Sequence, residues 1–479
     1  MLEQQNIRYC HWKSNEHLAP ALEGDTDLDI LFDPTQRSAL EAVFAACNIK
    51  RFRSTPLMQY NAIEDFVGFD QGSAKIFHIH THYRMTLGES HLKGYTITPW
   101  GSVLLKNRIF NDLGIWTTTP SDELVLLFCR IALKLRFRNA FRSLGKDDCK
   151  ELEWLLQRAD EAAINESAER LVGPCSVARI LSLVKKPPQK YRTFKKLRAS
   201  LRKELRCYTS YNRFFSWCAR TKRELFWLFG GVKRRLGLSN YTASRRVSPS
   251  GGLVVAILGC DGAGKSTTLA YIEKEFRKKL DVVSIYLGSG DGSSSLLRRP
   301  MKLVAKKVGG KGVGHAVEKE YAEHKKVSFK ARLYSLAKVI WASSLAREKK
   351  SKLRKLVKAR NNGLLVLTDR YPQTLLPGAG DGPLLARYQD CRGLFGRIAR
   401  HERRIYESFA KNPPDLTIKL VVPTEVAIAR KPEMTVEEIE HKKSIVVSLE
   451  LSEATVIIDT ARPFEITRGE VMKEIWDLI

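Results

Sequence analysis

No stretch of the sequence nears the roughly 18 consecutive apolar residues that a membrane-spanning helix needs. The nearest approach, Leu124 to Leu133, is short and broken by Arg130, so the chain is expected not to cross a membrane. The nine cysteines show no Cys-x-x-Cys and no paired spacing, which argues against a disulfide framework and for a reducing compartment. No charged-then-apolar leader opens the sequence, and the expected location is cytoplasmic. Acidic residues are also scarce: 81 Lys and Arg face 52 Asp and Glu, a formal charge of +29. The imbalance is local, because Lys185 to Arg246 holds 19 Lys and Arg against two Glu, a net +17. With 43% hydrophobic residues in 479 positions, disorder throughout is excluded and two or three domains have room for cores of their own.

Three segments are expected. Residues 1–175 mix short apolar runs with helical periodicity at Glu123–Arg136 and Lys146–Ala162, as in a compact α+β domain. Residues 176–250 form a basic, aromatic connector punctuated by Pro187 and Pro188 at one end and by Ser248 to Gly252 at the other. Residues 251–479 alternate β-branched runs with helical stretches: Leu253–Leu258, Val282–Leu287, Leu364–Thr368, Leu416–Val422 and Thr455–Asp459. Five such runs separated by helices predict an α/β fold with a five-stranded, parallel, doubly wound sheet.

The first of these runs leads into Gly259-Cys-Asp261-Gly262-Ala263-Gly264-Lys265-Ser266-Thr267, the spacing of a phosphate-binding loop between a strand and a helix. Glycines let the loop wrap so that backbone N–H groups and the helix N-terminus face phosphate oxygens. Lys265 is then placed for the β- and γ-phosphates of ATP, and the Ser266 hydroxyl for Mg²⁺. A glycine-rich turn is the competing reading, and the flanking strand and helix weigh against it. A second carboxylate is needed for the cation's water shell, and Leu364-Leu-Val-Leu-Thr-Asp369 supplies one after the helix stop Asn361-Asn-Gly363. Arg370 follows directly, suited to neutralising a transferring phosphoryl group.

Together with Asp369-Arg370-Tyr371, the segment Pro414-Asp415 to Arg430 and the late Val456-Ile-Ile-Asp459-Thr, this loop resembles the thymidylate kinase family over most of residues 251–479. The resemblance implies a P-loop kinase in which Asp261 faces the acceptor's sugar hydroxyl, Arg370 contacts phosphate, and Arg430 opens a mobile lid near the adenine. A lid is also legible independently, since Pro432 interrupts the chain and Thr435 with Glu438 forms a capping box for a new helix. The departures fall on the acceptor side: Pro372-Gln-Thr and Asp381-Gly-Pro383 replace the usual nucleotide-placing residues. Where the family carries its acceptor loop, this chain reads Gly288-Ser-Gly-Asp-Gly-Ser-Ser-Ser, ending in Arg298 and Arg299. Two arginines on a flexible loop suit a small anionic acceptor, and a solvent-facing linker is the other reading.

In the first segment, Gly24-Asp-Thr-Asp27-Leu-Asp29-Ile-Leu-Phe32 sets two carboxylates at i and i+2 on one strand face, where they could share a metal in an active transferase, survive in a binding or regulatory remnant, or belong to a structural turn. With Lys13-Ser14 this resembles the nucleotidyltransferase superfamily over roughly residues 5–140, closest to the branch that accompanies polysaccharide enzymes. The strand expected to bring a third carboxylate reads Phe77-His78-Ile79-His80-Thr81-His82, with His78 in the acid's place. Three histidines at period two share a face, so a Zn²⁺ site and strand histidines facing solvent or substrate are both open readings.

The connector interleaves Phe214, Phe215, Trp217, Phe226, Trp227, Leu228 and Phe229 with basic residues. Peripheral membrane contact through residues 185–246 fits that pattern, as does packing against a domain; single-stranded nucleic acid uses the same residue types and ranks last. The leading expectation is an ATP- and Mg²⁺-dependent kinase acting on a nucleoside monophosphate or another small acidic acceptor. A nucleotide-binding regulatory or scaffold protein, membrane-peripheral in polysaccharide synthesis, is the alternative from another class.

Overall fold

Residues 1–136, 141–235, 241–288 and 329–479 are described by the computed structural model, in two units, Met1–Pro249 and Ser250–Ile479. Among the described residues no helix is long and apolar enough to cross a membrane.

The first unit is α+β. Its strands are β1 (Tyr9–His11), β2 (Asp27–Phe32), β3 (Lys50–Ser54), β4 (Ile63–Asp70), β5 (Lys75–His82), β6 (Met85–Leu87), β7 (Tyr95–Ile97), β8 (Ile109–Phe110), β9 (Trp116–Thr117) and β10 (Arg246–Val247). Eight of them form one mixed sheet in the order β10-β3-β4-β5-β2-β1-β9-β8, and β6 pairs with β7. The parallel pair β2 and β5 sets Asp27 opposite His78 and Asp29 opposite His80, while antiparallel β4 sets Asp65 opposite His80 from the other side. The helix Pro120–Lys134 is buried from Ser121 through Leu133, as a helix apolar nearly all round must be. Thr119 caps it by accepting from the Asp122 N–H at 3.1 Å.

The expected helix Lys146–Ala162 is two helices, Lys146–Leu156 and Glu161–Leu171. Asp160 lies between them with extended backbone, and its carboxylate accepts from the Ala163 N–H at 3.1 Å, which starts a new helix instead of continuing the old one. Beyond residue 175 the basic stretch continues to build this unit, for Ile180, Leu183, Phe194, Leu197, Leu201 and Leu205 are buried in the same core as the helix Pro120–Lys134.

In the second unit each β-branched run is a strand: β11 (Leu253–Gly259), β12 (Val282–Tyr286), β13 (Leu365–Asp369), β14 (Leu416–Val421) and β15 (Thr455–Asp459). All neighbours pair in parallel in the order β12-β13-β11-β14-β15, and helices flank the sheet, among them Lys265–Lys279, Phe329–Asn361 and Phe464–Leu478. Parallel strands covered on both faces need continuous apolar runs; Val254 to Ile257 and Val366 to Leu367 are at most 1% exposed.

Asp415 ties three elements together at the amino-terminal edge of this sheet. It accepts from the Val254 N–H at 2.8 Å and pairs with the Arg360 guanidinium at 2.5 Å, at the end of the helix Phe329–Asn361. Gly363 (φ 78°) terminates that helix in the left-handed region, and a side chain on Gly252 would lie 1.9 Å from the Arg360 carbonyl oxygen. Asp415→Ala leaves a backbone N–H and a guanidinium without their partner. It should lower stability of the chain by about 2 kcal/mol in urea unfolding; a loss below about 0.5 kcal/mol would contradict this role.

Candidate functional site

The carboxyl edge of the five-stranded sheet collects the residues that the loop spacing singled out. Strand β11 ends at Gly259, the helix Lys265–Lys279 begins directly after Gly264, and residues 260–264 make the turn between them. Two glycines of that turn have positive φ, Gly262 at 82° and Gly264 at 79°. Space is short as well: a Cβ on Gly262 would come within 2.9 Å of the Ala427 carbonyl oxygen, and one on Gly259 within 2.9 Å of that of Leu420. Ala263 is fully buried, while Ser266 and Thr267 are exposed on the helix's first turn. The Lys265 ammonium donates back to the Cys260 carbonyl at 2.8 Å. Burial, then repulsion from Arg370, lowers its pKa, so an incoming anion would restore charge balance there.

Asp369 ends β13, where the parallel register sets it opposite Ile257 of β11. Burial raises its pKa against the pull of Lys265 and Arg370. Its Oδ1 is buried with no hydrogen-bond partner. An unpartnered buried carboxylate oxygen fits the water shell of a divalent cation, since desolvated acceptors are otherwise satisfied. Arg370 turns away from the strand with φ 66°, its N–H donating to Ile257 at 3.0 Å. The left-handed backbone of a non-glycine residue costs energy and marks a position held by its surroundings. Here the guanidinium spans Asp381 at 3.6 Å and Asp261 at 3.9 Å.

Two charged partners of this site, Lys442 and Lys349, carry no signal in the sequence, and Asp381 figures there only in the Asp381-Gly-Pro383 departure. Lys442, on the helix Val436–Ser448, pairs with Asp261 at 2.5 Å; burial pushes the Asp261 carboxyl up, and Lys442 outweighs it to hold the pKa below the ordinary value. Asp381 is 6% exposed beside Lys349, which is 1% exposed, 4.0 Å away and 4.7 Å above the Tyr406 ring. Burial pushes the Lys349 ammonium down to about 8. Arg430 ends the helix Thr424–Arg430 and donates to the carbonyls of Gly262 and Thr460, both at 3.0 Å. After Pro432, Thr435 accepts from the Glu438 N–H at 3.2 Å and caps the next helix, as the capping box predicts. Arg298 and Arg299 lie outside the described residues.

Asp27 and Asp29 of the first unit share one face of β2, and of the three β5 histidines beside them only His80 keeps part of its side chain, 24%, exposed. His78 and His82 are fully buried. His78 bridges Asp27 (Nδ1, 3.0 Å) and Asp65 (Nε2, 2.9 Å), and His80 bridges Asp29 (3.4 Å) and Asp65 (3.1 Å). Asp65, on β4, adds a third carboxylate to this row through His78 and His80, and no spacing in the sequence connects it with Asp27. Burial pushes Asp29 up, but Lys13 at 2.9 Å and hydrogen bonds from His80 and His82 outweigh it and hold the pKa well below the carboxylate range. His82 is pushed down to about 3 by burial, and His80 is raised because Asp29 and Asp65 outweigh its burial. Among the described residues, Asp27 with His78 and His80, and Glu16 with Glu123 and Glu151, bring donor atoms close enough to share a metal ion.

Two known proteins of Escherichia coli (strain K12) align with this chain. One, named uncharacterized ATP-binding protein YghR, is 28% identical over 230 residues, 46% of this chain and 86% of the relative. The other, named uncharacterized ATP-binding protein YghS, is 31% identical over 206 residues, 43% of this chain and 84% of the relative. The chain belongs to the family of YghS. No family model matches it. The matched part of the YghS family member described here is under half of its length, so the comparison leaves more than half of the chain without a counterpart.

Adding a methyl group at Gly262 should push the loop against the helix Thr424–Arg430. Gly262→Ala is expected to weaken binding of a fluorescent ATP analogue at least about tenfold, measured by anisotropy. Unchanged affinity would show that the close approach to Ala427 does not shape the loop.

Proposed function

We propose that the chain is an ATP-dependent phosphotransferase of the thymidylate kinase-like class, passing the γ-phosphoryl group to a nucleoside monophosphate or another small acidic acceptor. The observation that carries the proposal is the buried, unpartnered Asp369 oxygen at the carboxyl edge of the parallel sheet, beside the lysine that follows the glycine turn. The names of the relatives YghR and YghS agree with ATP as the donor. In this reading residues 251–479 are the kinase domain and residues 1–175 a nucleotidyltransferase-like domain with Asp27 and Asp29 as its metal carboxylates, while residues 176–250 are the basic segment whose first part, through Leu205, packs into that domain's core.

The roles follow from charge and position. Backbone N–H groups of residues 259–267 hold the phosphates at the helix N-terminus. Lys265 exchanges its Cys260 carbonyl for β- and γ-phosphate oxygens. Ser266 and Asp369 would hold Mg²⁺ and its water shell, and the cation, when bound, supplies neutralisation of charge across the β- and γ-phosphates. An acceptor oxygen forms the new bond to the γ-phosphorus as the bond to the β,γ-bridging oxygen breaks, and ADP leaves with that electron pair. A phosphate acceptor brings an ionised oxygen, so no protein base is required. Arg370 neutralises the transferring group, held by Asp381 until substrate arrives. Arg430 links the loop to the segment after β15 and supports a lid that excludes water.

Peripheral contact with an anionic membrane through residues 185–246 is part of the same proposal. It is supported by the helix Arg213–Arg235, on which Phe214, Phe215, Trp217, Phe226, Trp227, Leu228 and Phe229 are all exposed.

ADP release measured across a panel of nucleoside monophosphates and sugar phosphates tests the proposal. One acceptor class should stimulate release at least about tenfold, and Lys265→Ala should reduce the stimulated rate at least about 100-fold. Slow hydrolysis indifferent to every acceptor would contradict phosphotransfer and favour a nucleotide-controlled switch.

A further inference from the structure

The first unit holds a cavity of about 810 Å³ whose wall is basic far beyond the needs of the fold. Arg136, Arg198, Arg202, Lys203, Arg206 and Arg220 line it, against Glu89 as the one lining carboxylate. Glu89 pairs with Arg202 at 3.2 Å, and Glu224, outside the lining, serves both Arg136 at 3.1 Å and Arg220 at 3.6 Å. Two carboxylates thus answer six cations. Arg198, Lys203 and Arg206 pair with no carboxylate among the described residues. The Arg198 Nε is buried and has no hydrogen-bond partner, although a guanidinium carries donors in a fixed fork and buried donors are normally satisfied.

This crowding is built by the backbone. Arg198, Arg202 and Lys203 share one helix, Lys195–Glu204, anchored by the buried Leu197 and Leu201. The chain then turns through Arg206–Tyr208 to the helix Arg213–Arg235, which brings Arg220. Ser210 N–H donates to the Gly94 carbonyl at 2.9 Å and Thr209 bridges to Tyr95, so the turn is fastened to β7. Burial, then repulsion from Arg202, lowers the Arg198 pKa. Like charges held together without compensation destabilise a fold, and a ligand that compensates them is bound correspondingly well.

We propose that this cavity is a binding site for a phosphate-bearing polyanion, with Arg198, Arg206 and Lys203 as the cations free to receive it. Arginine forks match phosphate oxygens two at a time, and the volume is that of ligand pockets for small molecules. Trp217 and Tyr211 contribute aromatic surface to the same wall. The ligand is a soluble compound with two or more phosphate charges, or the phosphate headgroup of a lipid, since Trp217 is also one of the exposed aromatic residues of the helix Arg213–Arg235. The site lies wholly within the first unit and is independent of the phosphate loop.

The test uses the full chain carrying Lys265→Ala, which silences the phosphate loop. One arm titrates inorganic pyrophosphate by calorimetry at low salt; the other floats the protein with phosphatidylcholine vesicles with and without phosphatidic acid. Saturable pyrophosphate binding alone identifies a soluble ligand, and flotation dependent on phosphatidic acid identifies a headgroup. Either affinity should fall at least about tenfold with Arg198→Gln and Arg206→Gln together. The thermal midpoint of that variant without ligand should be unchanged or raised, because repulsion is removed. If it fails to fold, Lys203→Gln with Arg206→Gln, both at exposed positions, should still weaken binding at least about threefold. Absence of binding in both arms, flotation equal on pure phosphatidylcholine without pyrophosphate binding, or affinity untouched by the folded variants would overturn the proposal.

Discussion

Strands β11 and β13 pair in parallel with Ile257 opposite Asp369, and the layout of the second unit depends on that register. Parallel pairing sends both strands out of the sheet at the same edge, so the glycine turn after one and the Asp-Arg pair after the other emerge side by side. A shift by one residue would point Asp369 to the other face. Asp415 guards the opposite edge, where its carboxylate binds the Val254 N–H and Arg360. Fixing β11 at its beginning fixes the position of Gly259 at its end.

Placing charge at that edge has an electrostatic cost that the site distributes over many groups. Lys265, Arg370, Lys349 and Lys442 face Asp261, Asp369 and Asp381 in a half-buried cluster. The carboxylates are engaged unequally. Asp261 has Lys442, Asp381 has Lys349 and Arg370, and Asp369 retains a buried oxygen with no donor. An uneven arrangement of this kind leaves one acceptor for a cation while the others hold basic side chains in place until an anion arrives. In the first unit the logic is reversed: a six-cation cavity answered by two carboxylates leaves basic groups over.

Features dictated by local backbone chemistry were legible in the sequence. The five strands of the second unit are unbroken apolar runs because both faces of a parallel sheet are covered. The glycine turn is legible because Gly262 and Gly264 have positive φ and because a Cβ on Gly259 or Gly262 would come within 2.9 Å of a neighbouring carbonyl oxygen. The helix cap at Thr435 depends on a residue only three positions away. Long-range partners carry no such signature. Lys442 reaches Asp261 from 181 residues away, Asp65 joins the Asp27 and His78 row from a neighbouring strand, and Lys349 meets Asp381 through the packing of a long helix. The break after Leu156 is hidden in the sequence because Ala159, Ala162 and Ala163, all good helix formers, flank the Asp160 cap. The basic residues after 185 were legible as a charge excess, but not as the wall of a cavity, since that depends on how two helices and a turn converge.

In the proposed kinase Asp369 is the cation side of the nucleotide site. The most direct measurement is calorimetric titration of ATP with and without Mg²⁺ into the native chain and into Asp369→Asn. Mg²⁺ should tighten ATP binding to the native chain at least about tenfold. The variant should bind metal-free ATP as well as the native chain does, and gain little from the cation. A variant that keeps the whole Mg²⁺-dependent gain would contradict the assignment of the buried Asp369 oxygen.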